Sequence, residues 1–221
     1  MSPAMFADRE DAGRQLAAKL LRFRDRDPVV LALPRGGVPV AMQVAAILQA
    51  PMDLILVRKI GAPGQPELAL GAVVDGETSE LVINEDVKRM LQVSDAYIEQ
   101  AKARQLEEIE RRRKLWLGDR PRIAVKDKTA LIVDDGIATG ATVRAALHAV
   151  RRARPAHLVL AAPVAPPDTI ESLREDADEV VCLATPAAFW AISMFYERFP
   201  QLADDEVSAL MDQVAGAHSA A

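Results

Sequence analysis

The chain has a single cysteine, Cys182, in 221 residues. One thiol cannot close an internal disulfide, so packing must hold the fold together. Cys182 lies in the apolar run Val180 to Leu183 and reads as a small core residue before it reads as a nucleophile. Aromatic residues are scarce, at 4%, so the core has to be built mainly from Ala, Val, Leu and Ile. The three histidines, His148, His157 and His218, share no zinc-like spacing with cysteine or carboxylate, and are read as structural or solvated. No apolar stretch approaches the ~20 residues that cross a bilayer. No basic region followed by an apolar run opens the chain, so no secretory signal and a cytoplasmic location are expected. No G-x-x-x-x-G-K-[ST] loop occurs, which argues against ATPases and GTPases of that type. Positive charge is not in excess: the formal net charge of −5 argues against broad nucleic-acid binding.

What is present is ordinary for a globular protein: half the residues are apolar and 27% are charged. The length suits one generous domain, or a core with a small appendage. Apolar runs near 29–33, 54–57, 130–133, 157–162 and 179–183 alternate with helical patterns. That alternation predicts an α/β three-layer sandwich with a mainly parallel sheet. A helix is expected over 8–24, capped by Asp8, with Ala12, Leu16, Leu20 and Phe23 on one apolar face. Leu70 to Val74 and Leu81 to Asn84 flank Asp75-Gly76 and predict an edge hairpin. A long helix is expected from about Asp95 to Leu117. Its basic run Arg111 to Lys114 follows acids at i, i+4 spacing (Glu107, Glu108, Glu110), which makes it a solvated face rather than a nucleic-acid patch.

One stretch carries chemistry. Ala130 to Val133 suits a strand buried on both faces. Asp134 and Asp135 follow, then a small-residue loop from Gly136 to Thr142, then Val143, Leu147 and Val150 at helical spacing. A glycine loop entering a helix presents unpaired N–H groups in one concavity, which holds a phosphate well. Thr139 and Thr142 add hydroxyls. The carboxylates one step earlier would repel that phosphate. They suit vicinal hydroxyls a sugar's length away, directly or through a divalent cation. The implied ligand is a 5-phosphorylated sugar. A second strand–turn–helix unit carries Pro34-Arg35-Gly36-Gly37-Val38-Pro39. Its Arg35 is either a solvated turn residue or part of an anion site. Arg58-Lys59 closes the run at 54–57 and points at the crevice where parallel strands end. Ile60 to Leu68, with two glycines and two prolines, is expected to lack regular structure. Glu67 within it is a solvated carboxylate or a catalytic acid–base.

Val133-Asp134-Asp135-Gly136-Ile137-Ala138-Thr139-Gly140-Ala141-Thr142 resembles the phosphoribosyl diphosphate (PRPP) motif of type I phosphoribosyltransferases. The resemblance covers about residues 27–185. The layout best resembles phosphoribosyltransferase domain-containing proteins with Pro-Arg-Gly-Gly in the first loop. It implies a core over 1–185 and a helical hood over 186–221 that receives the acceptor. The aromatic residues gathered between 189 and 199, Phe195, Tyr196 and Phe199 among them, are packing for this cap or a stacking surface for a planar ring; cap packing suits most of them, with Phe189 and Trp190 the candidates for base contact. It implies that Arg35, Gly36, Gly37, Arg58 and Lys59 serve the pyrophosphate, and that the first loop holds a cis non-proline peptide. The loop at 60–68 would close over the substrates. The 5-phosphate would sit on the backbone of Ile137 to Thr142 and the ribose hydroxyls on Asp134 and Asp135, with Gly136 between them also part of the PRPP site. Mg2+ would bridge ribose and pyrophosphate oxygens near those acids. Transfer of the phosphoribosyl group to a small-molecule acceptor and a homodimer are the implied activity and assembly. Members acting on 6-oxopurines carry Asp where this chain has Ala138, which argues against hypoxanthine or guanine. A PRPP- or nucleotide-sensing regulator with little turnover is the alternative.

Overall fold

In the computed structural model, residues 5–76 and 79–219 are described, the side chains of Glu67 and of 217–219 apart. The expectations placed on Glu67 and on His218 therefore lie outside the described side chains. Helix α1 (Arg9–Leu20) begins at Asp8, whose carboxylate accepts the Asp11 amide at 2.9 Å. Strand β1 (Pro28–Ala32) leads into α2 (Gly37–Leu48), and β2 (Met52–Leu54) follows. The chain then leaves this layer through β3 (Val57–Ala62), β4 (Gln65–Val74) and β5 (Glu80–Ile83). Helices α3 (Glu85–Met90) and α4 (Asp95–Leu117) return it to β6 (Thr129–Val133), α5 (Ala141–Arg152), β7 (His157–Val164), α6 (Pro167–Leu173) and β8 (Glu179–Ala184). A short 3-10 turn and α7 (Asp204–Ser219) complete the described chain.

The main sheet is parallel throughout, in the order β2-β1-β6-β7-β8. Alternation along its strands separates two cores. Val30, Ala32, Leu131, Val133, Val159 and Ala161 face Leu16, Leu20, Val40 and Val44 of α1 and α2. Val29, Leu31, Ala130, Ile132, Leu158 and Leu160 face Val143, Leu147, Ile170 and Leu173 of α5 and α6. Strands buried on both faces explain why these runs are continuously apolar. The layered α/β expectation is met, and β6 stands beside β1 near the centre of the sheet, so the two glycine turns emerge side by side.

Three expectations change. The run at 54–57 is not one strand. Met52–Leu54 pairs with β1, and buried Ile55 and Leu56 carry the chain into a separate antiparallel sheet β3-β4-β5. Residues 60–68 are the tip of its first hairpin rather than an irregular loop. The prolines and glycines there are hairpin parts. Gly64 turns at φ +72°, and Gly61, at a register shift, lets the Pro66 backbone approach so closely that a Cβ would meet it at 2.5 Å. The hairpin β4–β5 is as expected. On α4, Glu108 accepts from Arg111 at 2.8 Å and Arg112 at 2.6 Å, but Arg113 turns inward. Arg113 bridges buried Asp53 and Asp75, at 3.3 Å and 3.1 Å, and Arg122 also pairs with Asp75. Among the described residues no helix is long and apolar enough to cross a membrane.

Candidate active site

The acids at the end of β6 and the turn after β1 pack against each other, and this contact explains both glycines of the first turn. A Cβ on Gly36 would lie 2.5 Å from Asp135 Cγ, and one on Gly37 would lie 2.8 Å from the Val133 carbonyl. Only a turn without side chains can pass this close to the acids. The Pro34–Arg35 peptide is cis. Gly140 caps α5 in the left-handed region at φ +76°. The first bond of α5 runs from Arg144 N to Gly140 O at 2.8 Å, so the amides just ahead of it are left open among the described residues. The Ile137 amide is not among them: it donates to Val164 O at 2.9 Å, and the side chain is buried. The Ala138 carbonyl accepts from Thr169 Oγ1 at 3.0 Å, which fixes the other side of the turn.

A cleft of about 470 Å³ opens over these elements. Arg35, Gly36, Asp134, Asp135 and Thr142 line it from the core, and Ile192, Phe199 and Leu202 from the C-terminal segment. Asp134 is half-buried and Asp135 only 7% exposed. Burial, then the neighbouring Asp135 charge, holds the Asp134 carboxyl well above the usual carboxylate range. Burial also raises Asp135, against the opposing pull of Arg9. Arg9 Nε donates to Asp135 Oδ2 at 2.7 Å, and Arg9 Nη1 donates to Pro200 O at 2.8 Å. The Tyr196 hydroxyl donates to the Asp135 carbonyl at 2.5 Å. Burial and that acid push the Tyr196 phenol far above its usual range. Arg35 stands 3.6 Å from Asp204 at the start of α7.

Of the residues expected here, Arg35, Gly36, Asp134, Asp135 and Thr142 line one cleft, while Gly37, Gly136, Ile137, Ala138 and Gly140 shape the turns beside it without lining it. Lys59 instead lines a neighbouring cavity of about 410 Å³, between the antiparallel sheet and α5, which shares Thr142 with the cleft and also includes Thr139 and Ala141. Arg58 is not brought to either cavity. Successive side chains of a strand point to opposite faces, so Arg58 turns to α4 and donates to Gln105 Oε1 at 3.1 Å. Burial, then Arg112, lowers its pKa. Phe189 stacks on Phe195, with centroids 5.3 Å apart, and Trp190 is 84% exposed. Neither lines the cleft, whose aromatic wall is Phe199. Sequence reasoning misses Arg9; it includes Tyr196 and Phe199 in the aromatic cluster at 189–199 but favours Phe189 and Trp190 for ligand contact, whereas Phe199 lines the cleft and Tyr196 holds the acidic turn. For Arg9 a signal exists: it falls at helical spacing with Ala12, Leu16 and Leu20, a charge on a buried stripe.

A family model for the phosphoribosyl transferase domain matches residues 5–197. The chain is 48% identical over 209 residues to a protein of Mycobacterium tuberculosis named "Putative phosphoribosyl transferase", in two strains of that organism. The match covers 95% of this chain and 47% of that protein, so the chain spans about half the length of the curated relatives it matches. Among solved structures, the TT1426 protein of Thermus thermophilus superposes with a TM-score of 0.79 at 42% identity, over 94% of this chain and 98% of that one. The chain belongs to the phosphoribosyl transferase domain family.

Proposed function

We propose that this chain transfers the 5-phosphoribosyl group of PRPP to a nitrogenous base or similar small acceptor, with release of pyrophosphate. The observation that carries this reading is the meeting of two strand–turn–helix units in one cleft, the acids of one packed against the glycine turn of the other. In this reading the open amides of Ala138 to Thr142 and the hydroxyls of Thr139 and Thr142 hold the 5-phosphate, while Gly136 and Ile137 shape the turn. Asp134 accepts from a ribose hydroxyl. Arg35, with the backbone of Gly36 and Gly37, faces the pyrophosphate, and Lys59 approaches from the adjoining cavity.

No group of three or more His, Cys, Asp or Glu able to hold a metal occurs among the described residues. A site with so few protein ligands suits Mg2+, which takes most of its oxygens from substrate phosphates and one or two carboxylates; Asp134 is the residue placed to contribute. When bound, the ion supplies neutralisation of charge on the departing pyrophosphate. The chain's own part is positioning and fixed charge. The C1–oxygen bond to pyrophosphate breaks, a C1–nitrogen bond to the acceptor forms, and the acceptor gives up a proton. Residues 186–221 form the hood in this proposal, and a cytoplasmic homodimer is its working form.

The test is pyrophosphate release from PRPP offered with a panel of nitrogenous bases. Release with one acceptor, lost in Asp134→Asn, supports transfer. One observation favours the sensor reading: Arg35 and Lys59 line different cavities. Tight PRPP binding with no release across the panel would select it.

A further inference from the structure

Arg9 is an odd choice for its place. It opens α1, where the helix dipole disfavours a cation, and it is only 9% exposed. Its local helix gains nothing from the charge, so the reason lies in its partners. These come from two other parts of the chain: Asp135 in the acidic turn, and Phe199 and Pro200 in the segment that walls the cleft. The guanidinium carbon sits 3.6 Å from the Phe199 ring centroid. The same segment is tied down again by Tyr196, on the Asp135 carbonyl, and by backbone bonds from Glu197 N to Phe6 O at 2.9 Å and Arg198 N to Ala7 O at 3.0 Å. Asp135 is thus held by Arg9 on its side chain, by Tyr196 on its backbone and by the bare face of Gly36. Both acids line the cleft, but Asp134 is the more exposed of the two, half-buried against 7% for Asp135, and its Oδ1 accepts the Asp135 amide at 2.8 Å.

We propose that Arg9 and Asp135 are a positioning pair. Asp134 alone meets the sugar hydroxyls, and Asp135 acts through Arg9 to hold residues 196–202 as the outer wall of the cleft. The role of Asp134 rests on the sugar-phosphate reading above; the role of the Arg9–Asp135 pair does not.

Two measurements on the full chain separate these. The first is hydrogen exchange of the Glu197 and Arg198 amides without ligand, in wild type, Arg9→Gln, Asp135→Asn and the double variant. Each single change should speed exchange tenfold or more, and the double should be no faster than the faster single. Arg9→Lys, which keeps the charge and loses the planar fork, should fall between. Phe199→Leu, which leaves both charges in place, should also speed it, and serves if a charge variant does not fold. Exchange in Asp135→Asn equal to wild type overturns the proposal. The second is calorimetric titration of the same proteins with PRPP and magnesium. Arg9→Gln, Asp135→Asn and the double should lose a similar factor, about tenfold, while Asp134→Asn loses binding altogether. If Asp135→Asn still costs its full factor in the Arg9→Gln background, Asp135 touches the ligand itself and the proposal fails. If wild type binds no PRPP, the functional reading falls, and the exchange arm alone decides the positioning pair.

Discussion

Replacing Gly36 by alanine isolates the contact on which the site is built. Its backbone, at φ −62° and ψ −34°, is one that any residue adopts. With space available, alanine there would stabilise by ~0.4–1 kcal/mol by restricting the unfolded chain. Space is not available: the new Cβ would lie 2.5 Å from Asp135 Cγ, against a carbon–carbon contact of about 3.5–4.0 Å. The carboxylate must retreat by about 1 Å to restore that contact. Its bond to Arg9, now 2.7 Å, cannot stretch that far and remain a hydrogen bond. Breaking a buried ion pair costs about 3–5 kcal/mol. The net loss should be about 3 kcal/mol, a fall in Tm of roughly 6–12 °C for a chain of this size. Chemical denaturation of Gly36→Ala against wild type reads it. In an Asp135→Ala background the obstacle is gone, so the same change should be neutral or slightly stabilising. An equal penalty in both backgrounds, or none in either, would refute the reasoning.

Asp134→Asn should stabilise the ligand-free protein at pH 7, because burial and the neighbouring Asp135 charge raise the folded pKa of Asp134 and make its ionised form costly. The penalty is absent below the unfolded value near 3.9 and grows as pH rises through the folded value, so denaturation at pH 3 should show no difference. Tyr196→Phe removes the bond to the Asp135 carbonyl and should cost about 1 kcal/mol at pH 7. Wild type should also lose stability as pH rises past about 10, where only the unfolded chain ionises this phenol, and the variant should lack that share of the loss. Arg113→Leu strands buried Asp53 and weakens the hold on Asp75, and should lower unfolding free energy by about 3–5 kcal/mol in urea. Trp190→Ala should leave PRPP affinity unchanged within twofold, because that side chain stands clear of the cleft.

The strands and the two glycine turns are legible in the sequence because their signals are local. Ala130 to Val133 is apolar without a break since both faces of β6 are covered, and Asp134-Asp135 follows within the same turn. The hairpin over β3 and β4 is hidden because proline and glycine read as breakers, whereas Gly61 and Gly64 serve a register shift and a turn. Arg58 and Lys59 look like partners because they are neighbours in sequence; once they lie on a strand, neighbours diverge. The Arg9–Asp135 pair spans 126 residues, and no spacing rule reaches that far. The aromatic cluster at 189–199 is visible in the sequence, but which of its members packs the cap and which closes over the acids is set by contacts distant in sequence, such as Tyr196 on the Asp135 carbonyl.

The measurement closest to the central claim is calorimetric titration of PRPP, with and without magnesium, into wild type and Asp134→Asn. The account predicts saturable binding to wild type that strengthens with magnesium and disappears in the variant, even though the variant is the more stable protein. Wild type that takes up no PRPP, or Asp134→Asn that binds it as well as wild type does, would contradict it.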